Sequence, residues 1–245
     1  MAAPEVFNIR IREIDKPAEM RAVEELQKEV WGIPDLDVVP LTHLVAAKEA
    51  GGVLIGAFDG DTLVGFVYGF PSFERGQLAH HSHMLAVKPG FRNFDLGQRL
   101  KLAQRDHVKA QGIELISWTF DPLQSLNAYF NFNKLGVIAD RYLPNFYGED
   151  AASFLHQTGT DRLWVSWFIE RTDPIAGEDQ VVIEIPSDIN ALMQHSPETA
   201  LKWRAETRRA FTEALRAGYI VTSFVRDQKI GKYLLTKGLS TDYTE

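Results

Sequence analysis

The sequence contains no cysteine. That absence removes disulfides, thiolate-bound zinc and a cysteine nucleophile together, and it fits a reducing compartment. No hydrophobic run approaches the roughly 20 residues that a membrane-spanning helix needs. The first residues, MAAPEVFNIRIREI, alternate rather than form the apolar centre of an export signal. The expectation is a soluble, cytoplasmic protein with no membrane partner. Excess positive charge is lacking as well. Lys and Arg number 26 against 33 Asp and Glu, a formal net charge of −7. Phosphate neutralisation along nucleic acid requires clustered cations, so no nucleic-acid partner is expected, although a local basic pocket stays open.

What is present is an ordinary globular composition. Hydrophobic residues make up 45% of 245, enough to bury one large domain or a domain with an appendage. Phe7, Ile9 and Ile11 alternate as in a half-buried strand. Met20, Val23, Leu26 and Val30 recur at helical spacing until Gly32 and Pro34. LTHLVAAKEAGG reads as a second helix, and Asp59-Gly60 joins two apolar strands as a hairpin. LAHHSHMLAV is a long strand, followed by a helix from Leu96 to Gly112, a strand IELISWTF and a short helix QSLNAYFNFNKLG. RLWVSWFIE is a later strand, and RTDPIAGEDQ reads as a linker. Beyond it come a strand VVIEIP, a helix from Ser196 to Gly218 with Leu201, Arg204, Arg208, Phe211 and Leu215 along one stripe, and a closing hairpin. The pattern predicts a mixed α/β domain over 1–172 and a smaller α+β extension over 173–245.

Residues 88–100, KPGFRNFDLGQRL, carry the strongest chemical signal. A strand-to-helix loop can aim several backbone N–H groups one way, and with the helix dipole these bind a phosphate or pyrophosphate. Arg92 adds a positive charge. An ordinary surface turn is the competing reading. Val87-Lys88-Pro89 and Arg92-Asn93-Phe94-Asp95-Leu96-Gly97 resemble the phosphate loop of the GCN5-related N-acyltransferase (GNAT) superfamily, Q/R-x-x-G-x-G/A after a strand ending in V-x-P. Asp95 stands where the first family glycine would be. The order of elements over roughly residues 7–170 is also similar.

The resemblance implies a GNAT-type fold: a mixed, mostly antiparallel splayed sheet flanked by helices, with the C-terminal α+β extension added. It implies coenzyme A or acyl-CoA as co-substrate, acetyl-CoA or succinyl-CoA, held between the strands ending near Val87 and Thr119. Backbone groups of Leu85, Ala86 and Val87 would bond the pantetheine arm, and Arg92 with Asn93, Phe94, Asp95, Leu96, Gly97 and Gln98 would hold the phosphates. Asn127 and Phe130 would also touch the cofactor. The family tyrosine that protonates the departing thiolate is replaced by Phe132, and Tyr129, one helical turn earlier, is the candidate substitute. A core role for Tyr129 is the alternative.

Amine acylation needs a base, and histidine is tuned for one near neutral pH. His81 and His83 share a strand face with Leu85 and Val87, opposite His80 and Ser82. Family members often carry a carboxylate near the position of His81, so His81 is the expected base and His83 the second choice. Metal chelation by the two, or a purely structural role, stays open; no metal is expected. Asp95 tolerates a left-handed conformation and could cap the following helix. WTFDPLQSLNAYFNFNKLG resembles a branch of the superfamily in which some relatives are linked to N-acylamino-acid metabolism, including succinyl transfer. Arg204, Arg208 and Arg209 could then meet a substrate carboxylate, against a solvated helix face paired with Glu206 and Glu213. Trp118, Phe120, Tyr142, Phe146 and Tyr147 could line a pocket or the core, and YLPNFYGED could form a lid or a strand with its turn.

The expected activity is direct N-acyl transfer, acetyl or succinyl, to the primary amine of a small molecule such as an amino acid. A catalytically inactive CoA-binding sensor or interaction protein is the alternative, and a homodimer is compatible with either.

Overall fold

The computed structural model describes residues 8–148, 158–170 and 179–237. The chain forms two compact units, Met1–Ile116 and Ser117–Glu245. Both are mixed α/β, with a mostly antiparallel open sheet flanked by helices.

In the first unit the strands lie in the order β1 (Ile9–Glu13), β2 (Val53–Asp59), β3 (Thr62–Glu74) and β4 (Gln77–Val87), each antiparallel to its neighbour. One sheet face is covered by α1 (Pro17–Trp31) and α2 (Leu41–Glu49): Met20, Val23, Leu26 and Leu44 pack on Phe58, Phe66, Tyr68, Met84 and Ala86. The sequence spacing of α1 puts those apolar residues on one stripe, as a helix lying on a sheet requires. The other face carries α3 (Leu96–Ala110), where Leu100 reaches Gly65 and Val87. The β3–β4 hairpin is longer than its sequence suggests. β3 runs on past Phe70 to Glu74, and Arg75 and Gly76, at φ 50° and 80°, make the turn.

One irregularity in that hairpin matters for the site. Tyr68 pairs with Met84 but Gly69 pairs with Ser82, so His83 is an extra residue in β4. Such a bulge re-aims side chains by breaking the alternation. His81 therefore does not share a face with Leu85 and Val87, as plain alternation predicts. Before the bulge His80 and Ser82 point to α3; after it Val87 does, while Met84 and Ala86 point to α1 and α2. Gly69 makes room for the kink, since a Cβ there would meet the His80 ring and the backbone oxygen of His81.

In the second unit the order is β5 (Leu115–Phe120, which crosses the division), β7 (Arg162–Phe168), β6 (Ile138–Leu143), β9 (Tyr219–Arg226), β10 (Ile230–Lys237) and β8 (Gln180–Pro186). The segment after residue 172 thus shares a sheet with the one before it: β9 pairs with β6 through Val221 and Ala139. A short α4 (Ser125–Tyr129) continues as a π-helical segment, Phe130–Leu135, which ends at left-handed Gly136. α5 (Ile189–His195), absent from the sequence reading, is capped by Asp188, whose carboxylate accepts the Ala191 N–H. α6 (Pro197–Arg216) buries Ala200, Arg204, Thr207, Phe211 and Ala214, so Leu201 is half exposed rather than part of the inward stripe. Residues 171–178, most of the expected linker, lie outside the described residues.

Candidate functional site

The loop after β4 is built by three local constraints. Lys88 N–H is tied to Val64 O, and Pro89–Phe94 coils into a 3-10 turn. Asp95 then takes φ 53°, ψ 20°, a left-handed conformation that Gly adopts freely and Asp more readily than most residues. It turns the chain into α3, whose first residue, Leu96, is fully buried as an anchor. Asp95 does not cap that helix: its side chain makes no capping hydrogen bond. Capping needs an extended backbone at this residue, and the left-handed turn removes it.

Arg99 N–H bonds to Asp95 O and opens the helical ladder. The N–H groups of Leu96, Gly97 and Gln98 therefore precede any intrahelical acceptor, at the positive end of a 15-residue helix. Exposed Arg92 turns back to the end of β4, its Nε donating to Val87 O at 3.3 Å. This donor set, backbone N–H groups plus one guanidinium, fits the phosphates of coenzyme A. Lys88 is committed elsewhere, to Glu29 at 2.8 Å.

On the α1/α2 face His81, His83 and Phe70 form a triangle of rings, the histidine centroids 5.5 and 5.7 Å from Phe70 and 6.2 Å from each other. Tyr68 meets His83 edge to face at 6.1 Å and shares a 2.9 Å hydrogen bond with His43 Nε2 from α2. Burial, then repulsion from His83 and Lys101, pushes His81 down to about 4. Burial and His43 lower His83 too, and burial raises Tyr68 to about 12. At neutral pH the cluster is thus uncharged at those three positions. Tyr68 and Phe70 are readable from β3 alternation once β3 is known to reach past Phe70. His43 is not, because only the packing of α2 on β3 brings it there. Among the described residues no group of three or more His, Asp or Glu side chains is placed to hold a metal ion.

The opposite face holds a directed chain of hydrogen bonds. Lys101 Nζ donates to Ser82 Oγ (2.7 Å), Ser82 donates to Gln104 Oε1 (2.7 Å), and the Gln104 amide reaches His80 Nε2 (3.2 Å). That order puts the His80 proton on Nδ1. Burial holds His80 down at about 3 and drives Lys101 well below its ordinary range.

This arrangement makes the first unit acid-labile. Unfolded histidine titrates near 6.5, so His80 and His81, held low in the fold, contribute stability that is complete above about pH 6.5. It is lost as pH falls towards 4 and 3. Below pH 6.5 the expected slope approaches about 1.4 kcal/mol per pH unit for each histidine. His80→Gln should flatten the fall in melting temperature between pH 6.5 and 4, and an unchanged slope would remove His80 from this role.

In the second unit Tyr129 is part exposed at the end of α4, Asn127 is exposed and Phe130 half-buried. Tyr129, Arg226, Asp227 and Gln228 line one concavity. Phe132 is core, packed edge-on against Phe120 and Tyr233 at 6.4 and 5.8 Å. Tyr233 cannot stand in for it, because its buried hydroxyl donates to Pro122 O at 2.6 Å.

Arg204 and Arg208 of α6 are paired with carboxylates of the fold, while Arg209 lies on the exposed side of the helix. Arg204 is buried, with Nη2 on Asp121 at 2.7 Å and Nε on Thr158 O at 3.0 Å. Arg208 bonds Asp161 through Nε (2.9 Å) and Nη2 (2.6 Å), and Asn145 through Nη2 (2.8 Å). Tyr142 also donates to Asp161, at 2.6 Å. Burial works to raise Asp161, but the bonds from Arg208, Tyr142 and Asn145 N–H outweigh it and hold its carboxyl below the usual range. Trp118 and Phe120 are buried and Tyr142 stacks on Phe211, so these three are core rather than pocket lining. Phe146 and Tyr147 are exposed in the turn after β6, where residues 149–150 lie outside the described residues.

The model of the "Acetyltransferase (GNAT) family" matches residues 10–136. No curated protein matches the sequence. Among solved structures, an aminoglycoside 6'-acetyltransferase type Ii superposes with a TM-score of 0.53 at 23% identity, covering 67% of this chain and 99% of its own. The aminoglycoside 6'-N-acetyltransferase from Enterococcus faecium gives 0.51 at 22%, covering 67% and 99%. The ribosomal-protein-S18-alanine N-acetyltransferase from Escherichia coli gives 0.53 at 12%, covering 70% and 97%. At these identities the structural likeness concerns the fold. No helix among the described residues is long and apolar enough to cross a membrane.

Proposed function

The chain belongs to the acetyltransferase (GNAT) family, whose co-substrate is acetyl-CoA, and we propose that it transfers an acyl group directly from acyl-CoA to the primary amine of a small molecule. The observation that supports this reading is left-handed Asp95, which turns the β4 loop into α3, whose first N–H groups this reading assigns, with Arg92, to the phosphates. In this reading residues 1–172 are the acyl-CoA-binding domain and 173–245 an extension on it. Arg92 and the N–H groups of residues 93–98 take the phosphates, with Phe94, Asn127 and Phe130 beside the cofactor. Backbone groups of Leu85, Ala86 and Val87 take the pantetheine arm.

The bound thioester supplies an activated carbonyl. His81 is the base, directly or through water, with His83 second. Its imidazole is neutral at pH 7, and burial, which holds it down at about 4, makes it a weak base that takes the proton only as the C–N bond forms and the nitrogen turns acidic. Tyr129 is the proton donor to the departing thiolate. The C–N bond forms, the C–S bond breaks, and one proton moves from nitrogen to sulfur by way of these groups. With no cysteine in the chain, the usual thiol route to a covalent intermediate is closed.

A second reading, a CoA-binding sensor without catalysis, is favoured by buried Phe132 at the tyrosine position. Thiol release from acetyl- and succinyl-CoA over a panel of small amines separates the two. The enzyme reading expects turnover, with His81→Ala lowering the rate about 10²-fold or more. Acyl-CoA binding without thiol release from any amine would leave the sensor.

A further inference from the structure

Between the β9–β10 turn and α4 lies an open concavity of about 490 Å³ lined by Tyr129, Arg226, Asp227 and Gln228. Arg226 Nε donates to Ser125 Oγ at 3.1 Å, and Ser125 is itself buried at the start of α4. That bond fixes one edge of the guanidinium. The other edge, both Nη atoms, has no protein acceptor among the described residues.

Asp227, next in sequence, does not occupy that edge. Its Oδ1 accepts the N–H groups of Lys229 and Ile230, at 2.8 Å each, and serves its own turn. Lys229 adds a second cation to the turn, so Arg226, Asp227 and Lys229 together are net positive. The arginines of α6 that could have met an anion, Arg204 and Arg208, are already paired with Asp121 and Asp161. A pre-oriented guanidinium edge is the geometry that receives a carboxylate through two parallel N–H···O bonds.

We propose that Arg226 is the specificity-determining residue for a carboxylate borne by one of the two reactants, so that the C-terminal extension selects the substrate. The inference rests on the acyl-CoA reading through Tyr129, which lines the same concavity. The carboxylate has two possible sources, the acyl chain of the donor or an amino-acid acceptor.

The test uses the full-length protein and two matched pairs: succinyl-CoA against butyryl-CoA with a fixed amine, and amino acids against their amides with a fixed donor. The expected result is a preference of at least about tenfold in kcat/KM for the carboxylate member of one pair. Arg226→Gln should erase it, bringing kcat/KM for the carboxylate member down to that of its neutral partner. Arg226→Lys, which keeps the charge and loses the fork, should recover part of it. No preference in either pair, or a preference that survives Arg226→Gln, would overturn the proposal and leave the acyltransferase reading standing. Failure of the wild-type protein to bind any acyl-CoA would overturn both.

Discussion

Asp121→Asn should lower the melting temperature of this protein by roughly 6–20 °C, the equivalent of about 3–5 kcal/mol. The side chain keeps its shape and an oxygen able to accept the Leu123 N–H, which Asp121 Oδ1 receives at 2.9 Å. What it loses is the charge that balances Arg204. That guanidinium is buried, its other hydrogen-bond partners, Thr158 O and Thr158 Oγ1, are neutral, and the Asp161 carboxylate that also acts on it is already paired with Arg208. A cation left unpaired in the interior cannot escape by deprotonating, because arginine stays charged. Breaking one side of a buried pair therefore costs far more than the pair itself contributes. Two comparisons check the reasoning. Asp121→Leu with Arg204→Met, which removes both charges, should recover most of the loss. Arg209→Gln on the exposed side of α6 should change stability by less than about 0.5 kcal/mol. A shift of under about 2 °C for Asp121→Asn would mean that the ion pair is not formed in solution.

The second large effect is on the loop. Asp95→Val should weaken CoA binding about tenfold or more, whereas Asp95→Gly should bind as tightly as wild type or more tightly. The argument turns on backbone conformation rather than charge. At φ 53° a β-branched residue is strained by about 1–3 kcal/mol, Asp by less and Gly by almost nothing. If the cradle is made of N–H groups at the α3 N-terminus, the variant that cannot hold this turn loses it. The glycine variant keeps the turn and also removes a negative charge near the phosphates. Melting temperatures measured beside the titrations separate loss of the cradle from loss of the fold.

The sequence revealed elements whose period is long and unbroken. The stripe Met20, Val23, Leu26 of α1 and the apolar runs of β2 and β3 around Asp59-Gly60 were legible because each is a local pattern of neighbouring residues. The turn into α3 was legible because a left-handed position leaves a chemical trace, here Asp95 where other residues are rare. The bulge at His83 left none. It depends on Gly69 across the hairpin and on the His80 ring lying against it, a relation between two strands. The face assigned to His81 was wrong relative to Leu85 and Val87 for that reason. Arg204 and Arg208 misled in a similar way. Their spacing announced a helix face, but their partners, Asp121 and Asp161, lie 83 and 47 residues away in the chain. Arg226 passed unnoticed because what distinguishes it is Ser125, 101 residues earlier, and not its neighbours.

The central claim is that the β4–α3 loop holds coenzyme A. Calorimetric titration of CoA into the full-length wild-type, Asp95→Gly and Asp95→Val proteins tests it most directly. The expected result is saturable binding to wild type, equal or tighter binding to Asp95→Gly, and binding at least about tenfold weaker to folded Asp95→Val. No binding to wild type, or binding lost with Gly and kept with Val, would contradict it.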